Sequence, residues 1–288
     1  MNGKRVLITG ATNGIGAQAA LELAKMGAEV VIVGRDANKT RKVRNDLQAQ
    51  SGNSTIDILV ADLSSMKEIR RIAAEFREKY DRLDVLLNNA GATFTEFQTS
   101  ADGYEMTFAL NHFSYYLLTN LLLDVLRQTA EAVGEARIIN VSSSAHRNGV
   151  PRDGLRLGHL RDRRGFSSFG SYGASKFANV LFTYELARHL ESSNVTANVL
   201  HPGFVRTGFG HNTNSFMSAL IKALQRLIGR SPEKGAETLV YLASSPEVAG
   251  ENGKYWKDKR QEDSSSMSYD REQQKRLWDF SAEATGVG

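Results

Sequence analysis

The sequence predicts an α/β protein folded as a single domain around a doubly wound parallel sheet. Three observations carry this prediction. Short apolar runs alternate with segments of helical period, a glycine-rich turn follows the first run directly, and no stretch is apolar for long enough to make an integral membrane segment. The runs Arg5 to Thr9, Glu29 to Val33, Thr55 to Val60, Asp84 to Leu87, Arg137 to Val141 and Thr196 to Leu200 read as short buried strands. Between them, Ala17 to Met26, Ala37 to Gln50, Ser65 to Tyr80, Tyr104 to Leu126 and Ser171 to Leu190 read as helices. Strands alternating with helices demand right-handed crossovers, which cover both faces of the sheet and put a ligand beyond the carboxyl ends of the strands. One such sheet can hold all 288 residues, so residues 1–288 are expected to form one domain.

Two segments break the alternation. Residues 147–170, rich in Arg and Gly, are expected to lie as an insert over the ligand end of the sheet. Residues 257–288 are expected to be a polar, exposed loop (Lys257 to Arg276) leading to a terminal helix around Leu277, Trp278 and Phe280.

Composition excludes several function classes. There is no cysteine, so disulfides, thiolate metal sites and cysteine nucleophiles are absent, and His112, His146 and His201 have no metal-ligand spacing; no metal is expected. The net charge is +4, but 36 basic and 32 acidic residues are interspersed, so no nucleic-acid partner is expected. The chain runs from Met1 into Val6 to Ile8 without the charged, apolar and cleavage regions of a signal peptide, and a cytoplasmic location is expected.

After the first strand stand Thr9, Gly10, Ala11, Thr12, Asn13, Gly14, Ile15 and Gly16, and then a helix begins. Glycines there allow a tight turn and close backbone approach, and the helix start offers unpaired N–H groups and a favourable dipole to a pyrophosphate. This is the anion cradle of a Rossmann-type fold, although its GxxxGxG spacing differs from GxGxxG. At the end of the second strand a carboxylate suits the ribose 2′-OH of NAD, and an arginine suits the 2′-phosphate of NADP. Here the strand ends in Val33, Gly34 and Arg35; Arg35 can pair with the phosphate, and Gly34 leaves the space without a carboxylate. NADP(H) is therefore expected over NAD(H), with two alternatives open: Asp36 could reach the ribose, and Arg35 could be a solvated loop cation.

Tyr172 and Lys176 stand four apart on a helix, so phenol and ammonium can converge on one point. A general acid/base must titrate nearer working pH than a free tyrosine does, and a neighbouring cation stabilises the phenolate.

With these residues in view the sequence resembles the short-chain dehydrogenase/reductase family, from residue 4 to about residue 256. The ordered matches are TGATNGIG at Thr9 to Gly16, Asp62, NNAG at Asn88 to Gly91, Asn111, the serines Ser142 to Ser144, YGASK at Tyr172 to Lys176 and PGFVRT at Pro202 to Thr207. The resemblance implies that Tyr172 exchanges a proton with the substrate oxygen and that Lys176 binds the nicotinamide ribose and depresses the phenol. It implies further that Ser143 orients the substrate and that Asn111 holds a water behind the lysine. Ser143 is chosen among three adjacent serines by strand alternation and its place after the VS pair, and a slip of register would move the role. The resemblance also brings Asp62 and Leu63 to the adenine, Asn89, Ala90 and Gly91 to the cofactor cleft, and Pro202, Gly203, Val205 and Thr207 over the nicotinamide. The long interval between Ser143 and Tyr172, with LNHFSYYLLT, NVSSSAH, ANVLFTYEL, HPG and RLWDFSAEATG, is similar to the retinol-dehydrogenase-like branch.

The substrate expected is a small molecule, a bulky apolar carbonyl compound or alcohol. Phe94, Phe97, Phe166, Phe169, Phe204, Phe209, Phe216 and Met217 stand in loops or helix starts near the open end of the sheet. Phe216 to Ile228 reads as a lid helix, a core helix or a membrane-surface helix. The arginines of the insert could meet anionic lipid, an acidic substrate tail or only solvent. A homo-oligomer through the helices at Tyr104 to Leu126 and Ser171 to Leu190 is expected from the same resemblance. A non-catalytic NADP(H) sensor or scaffold on this fold is the alternative from another class, and the set of Ser143, Tyr172, Lys176 and Asn111 argues against it.

Overall fold

The computed structural model describes residues 1–150, 154–204 and 230–288. Eight strands form one sheet: β1 (Arg5–Thr9), β2 (Glu29–Gly34), β3 (Ile56–Val60), β4 (Val85–Asn88), β5 (Ala136–Val141), β6 (Val195–Leu200), β7 (Tyr255–Lys257) and β8 (Arg260–Gln261). Their order is β3-β2-β1-β4-β5-β6-β7-β8, all parallel except the β7–β8 pair. The order reverses direction beside β1, which opens a crevice beyond the carboxyl ends of β1 and β4. The central strands are buried on both faces by helices, which is why they read as unbroken apolar runs.

On one face lie α1 (Gly14–Lys25) and α2 (Ala37–Ser51), with α7 (Pro232–Ser244) packed against α1. On the other lie α3 (Met66–Lys79), α5 (Ser114–Val133) and α6 (Ser168–His189). The long helix expected from Tyr104 is broken at its start: the single turn α4 (Met106–Phe108) passes through a π turn at Ala109–Phe113 before α5 begins. That turn carries Asn111, and the irregularity re-aims side chains that a continuous helix would send elsewhere.

The last helix, α8 (Arg271–Thr285), lies across α5 and α6. Trp278 stacks on Phe182 at 5.9 Å and meets the edge of Tyr116 at 5.1 Å, and the C-terminal backbone reaches α3, where Arg70 donates to the Thr285 carbonyl. Nearly every residue of α6 from Gly173 to Ala187 is buried, although the helix has no apolar stripe of its own, because α8 covers its outer face.

The two irregular segments differ from expectation. Lys257 to Arg276 is mostly exposed and leads to a terminal helix, as expected, but it is not a plain loop: it contains β8 and a 3-10 turn at Ser266–Tyr269, and Ser264, Ser268 and Gln274 are buried and linked by hydrogen bonds. The insert covers the ligand end of the sheet only at its edges. Its middle packs Leu155 and Leu157 beside Phe108, Phe177 and Leu277, and two of its arginines have partners within the chain: Arg161 lies over the Tyr104 ring and Arg164 pairs with Asp162.

Beneath the crevice the register puts Asn88 beside Asn140. Asn88 Nδ2 donates to Asn140 Oδ1 and Thr119 Oγ1, both at 2.9 Å, and Asn140 Nδ2 donates to Thr183 Oγ1 at 3.0 Å. Asn88→Ala leaves two buried acceptors short of a donor, and it is expected to cost about 1–3 kcal/mol. Urea unfolding checks this as a lower midpoint at unchanged slope; an unmoved midpoint contradicts it.

Candidate active site

The carboxyl ends of β1, β4 and β5 open onto a cleft of about 630 Å³. Its first wall is the turn after β1. Gly10 holds φ at +66°, and a Cβ there would stand 2.7 Å from Ala90 Cα, so glycine is needed where this turn meets the chain after β4. Asn89 locks the two together. Its Nδ2 donates to the Thr9 and Gly10 carbonyls at 2.9 and 3.2 Å, while Thr9 Oγ1 accepts from the N–H groups of Asn89 and Ala90. Asn89 therefore lines the cleft and also brackets it.

Helix α1 starts from an extended Asn13 whose side chain makes no capping bond, and its first turn holds no acidic residue. By contrast Asp36, Ser65, Ser167, Ser231 and Asp270 cap their own helices. Thr12, Asn13, Gly14, Ile15 and Gly16 of this turn line the cleft. An uncompensated helix start of this kind suits a phosphate.

Arg35 is exposed and lines the same end, while Asp36 accepts from Lys39 N at 2.7 Å as the cap of α2. Gly34 lines the cleft without a carboxylate, as expected, and it is also closely packed: a Cβ there would run into Thr40 Oγ1 and Thr12 Cγ2. Asp62 and Leu63 line the cleft beside it, with Asp62 Oδ1 accepting from the Ser64 N–H and hydroxyl at 2.9 and 2.7 Å.

At the other end α6 presents Tyr172 and Lys176 one turn apart. The Tyr172 phenol is hydrogen bonded to Ser143. Ser142 points inward instead, its hydroxyl donating to the Lys176 carbonyl at 2.7 Å, so the strand alternation that selected Ser143 holds. Lys176 is 3% exposed and its Nζ donates to the Val141 carbonyl at 3.0 Å, 5.9 Å from the centre of the Tyr172 ring. Burial pushes this ammonium down to about 7 and pushes the phenol up to about 12, against the pull of the Ser143 hydrogen bond. Desolvation is the larger of these two influences on the phenol.

Asn111 is close behind. A Cβ built on Gly91 would stand 3.1 Å from Asn111 Oδ1 and 3.3 Å from Lys176 Nζ. The Asn111 side chain is occupied: Oδ1 accepts from Ala92 N at 2.8 Å, and Nδ2 donates to the Ala92 carbonyl and Ser175 Oγ, both at 2.9 Å. Its backbone carbonyl accepts from Asn179 Nδ2 at 2.9 Å.

Pro202 and Gly203 line the cleft; Val205 and Thr207 lie outside the described residues, as do Phe209, Phe216, Met217 and the segment 216–228. Phe94, Phe169 and Phe204 line the cleft, but Phe97 and Phe166 pack edge to face at 5.7 Å in a separate cavity. Arg147 and Asn148 also line the cleft. Sequence reasoning placed Arg147 only in the insert, although its position four residues after Ser143 was a usable signal.

A model of the short chain dehydrogenase family matches residues 4–154 and 161–218. The chain belongs to that family. Among its relatives, human retinol dehydrogenase 13 is 40% identical over 99% of this chain and 85% of its own. Human polyprenol dehydrogenase is 36% identical over 98% of this chain and 84% of its own. Of solved structures, an NADP complex of Pseudomonas aeruginosa RhlG superposes with a TM-score of 0.69 at 30% identity, covering 88% of this chain and 94% of that one. Actinorhodin polyketide ketoreductase with NADPH superposes with a TM-score of 0.67 at 25% identity, over 88% of this chain and 94% of that one. As a short-chain dehydrogenase the chain is an oxidoreductase of the alcohol/carbonyl class, similar to retinol dehydrogenases. Among the described residues no helix is long and apolar enough to cross a membrane.

The lowered lysine makes a stability prediction. Between about 7 and its ordinary 10.5 the unfolded chain keeps a proton on Lys176 that the folded chain has released, so this residue makes stability rise with pH through that window and weakens the fold below it. Lys176→Met is expected to raise the Tm at and below neutral pH and to flatten that rise. Thermal unfolding over a pH series tests this; an unchanged slope contradicts it.

Proposed function

We propose that the chain is an NADP(H)-dependent oxidoreductase that interconverts an aldehyde or ketone and its alcohol on a bulky apolar substrate, with Tyr172 as the acid/base group. The observation that carries the proposal is the hydrogen bond between Ser143 and Tyr172 at one end of a cleft whose other end holds the uncapped start of α1 and Arg35. The residues present fit a nicotinamide dinucleotide: the α1 turn suits a pyrophosphate, Arg35 can pair with a 2′-phosphate, and the Asp36 carboxylate is held as a helix cap. Relatives solved with NADP and NADPH support the same cofactor. When bound, it supplies the hydride to the carbonyl carbon.

The chain's own residues handle the proton. A carbonyl oxygen placed between Ser143 Oγ and Tyr172 Oη accepts from both, and Tyr172 gives up its proton as the oxygen gains charge; oxidation returns it. A phenol held high by burial remains the protonated donor at neutral pH. Lys176, near its midpoint at neutrality, is poised to take full charge when a phenolate forms beside it. Asn111 fixes the turn at Gly91 and Ala92 against Ser175, and thereby the wall on which Lys176 rests. Phe94, Phe169 and Phe204 give the outer cleft an apolar surface, and relatives named for retinol and polyprenol agree with a long apolar substrate.

Loss of NADPH absorbance over a panel of apolar aldehydes and ketones tests the reading. Tyr172→Phe is expected to lower kcat by about 10²- to 10⁴-fold with NADPH affinity little changed. Arg35→Ala is expected to weaken NADPH by roughly 10- to 100-fold, the worth of a hydrogen bond to a charged group, and to leave NADH nearly unaffected. Tight NADPH binding without turnover of any carbonyl contradicts the enzyme reading, and equal losses for both cofactors contradict the role of Arg35.

A further inference from the structure

Two histidines without a role in the reading above hold a single peptide unit, the one joining Ser143 to Ser144. On its carbonyl side, His146 Nδ1 lies 2.6 Å from the Ser143 oxygen. On its amide side, the Ser144 N–H donates to His201 Nδ1 at 3.2 Å. Both imidazoles are buried, at 1% and 8% exposure. They come from different parts of the fold: His146 from the 3-10 turn after β5, His201 from the chain just past β6.

The partners dictate the protonation of each ring. A carbonyl can only accept, so His146 Nδ1 carries the proton, and its Nε2 accepts from the Ser265 N–H at 3.1 Å. His146 is thus a neutral Nδ1–H tautomer with both nitrogens occupied. His201 Nδ1 accepts an N–H, so its proton sits on Nε2. A second proton on either ring would set N–H against N–H.

The surroundings favour the neutral forms. His146 faces Arg147 and the ring of Tyr255 at 5.1 Å; among the described residues His201 faces the cations Lys257 and Arg230, the ring of His146 and the anion Asp258. Burial comes first among the causes that lower both rings to about 4.

We propose that His146 and His201 are positioning residues that clamp the Ser143–Ser144 peptide between two neutral imidazoles, and so fix the direction in which the Ser143 hydroxyl meets Tyr172 and the substrate oxygen. The proposal rests on the carbonyl-reducing reading of the cleft. Ser143 stands two positions past the last residue of β5, so its backbone lies beyond the sheet's own hydrogen-bond ladder, which ends with Ser142 N donating to the Leu200 carbonyl at 2.7 Å. Past that point the clamp replaces the ladder. Through Ser265 it also ties the polar segment before α8 to the cleft.

The test has two arms. In the first, NADPH-dependent turnover is compared for the native protein, His201→Leu, His201→Asn, Ser143→Ala and the pair Ser143→Ala with His201→Leu. His201→Leu orphans the Ser144 N–H and is expected to lower kcat about tenfold or more at unchanged NADPH affinity; His201→Asn, whose Oδ1 can accept the same N–H, is expected to recover most of it. Without the Ser143 hydroxyl the clamp has nothing to aim, so His201→Leu should add less than about threefold to Ser143→Ala. Full activity in His201→Leu, no recovery in His201→Asn, or fully multiplicative losses in the pair overturns the proposal. In the second arm, imidazole nitrogen NMR of the native protein is expected to show His146 as the Nδ1–H and His201 as the Nε2–H tautomer, both neutral at pH 5.5; charged rings there, or exchanged tautomers, overturn it. A protein that turns over no carbonyl would sink the function reading alone, and the NMR arm would still decide the clamp.

Discussion

Lys176 is buried at the carboxyl edge of a parallel sheet, its ammonium donating to the Val141 carbonyl, and the cleft is arranged around the cost of keeping it there. Burial takes the lysine to about 7 and the neighbouring phenol to about 12, so each group is held away from its charged form until a reacting oxygen gives the pair a reason to change. The low dielectric that makes the charges expensive also makes their mutual stabilisation strong once one of them forms. The π turn with Asn111, the amides of Asn88 and Asn140, and the Asn179 contact to Val141 are the polar supports that let such a group be buried at all.

The opposite end of the cleft works by backbone. Gly10 brings the first turn against Ala90, Asn89 fastens the two, and α1 begins without a side-chain cap. Strand order makes the two ends one site: β1, β4 and β5 are neighbours in the sheet although their turns lie far apart in sequence. The distance between phosphate cradle and proton donor is thereby set by strand spacing rather than by any loop.

Much of this was legible in the sequence, because strands buried on both faces leave unbroken apolar runs and the functional turns follow them at once. Six strands were readable within a residue or two, and the inward turn of Ser142 bears out the alternation that selected Ser143. What was not legible depended on partners distant in sequence. Tyr255 to Lys257 is too short to announce a strand and becomes one by pairing with β6. The polar residues Ser264, Ser268 and Gln274 look like a solvated loop until their mutual hydrogen bonds are seen. Gly34 was read only as a position without a carboxylate, and its close packing against Thr12 and Thr40 shows in the structure alone. Burial, the first cause raising the Tyr172 phenol, is invisible in a sequence.

The most direct measurement of the central claim follows an isotope. NADPH deuterated on the transferred position of its nicotinamide is incubated with the protein and an apolar aldehyde, and the alcohol is analysed by mass spectrometry. The account predicts one deuterium on the carbinol carbon, in native protein and at a greatly reduced rate in Tyr172→Phe. Deuterium that stays entirely in tightly bound cofactor, or an alcohol formed without it, would contradict the account.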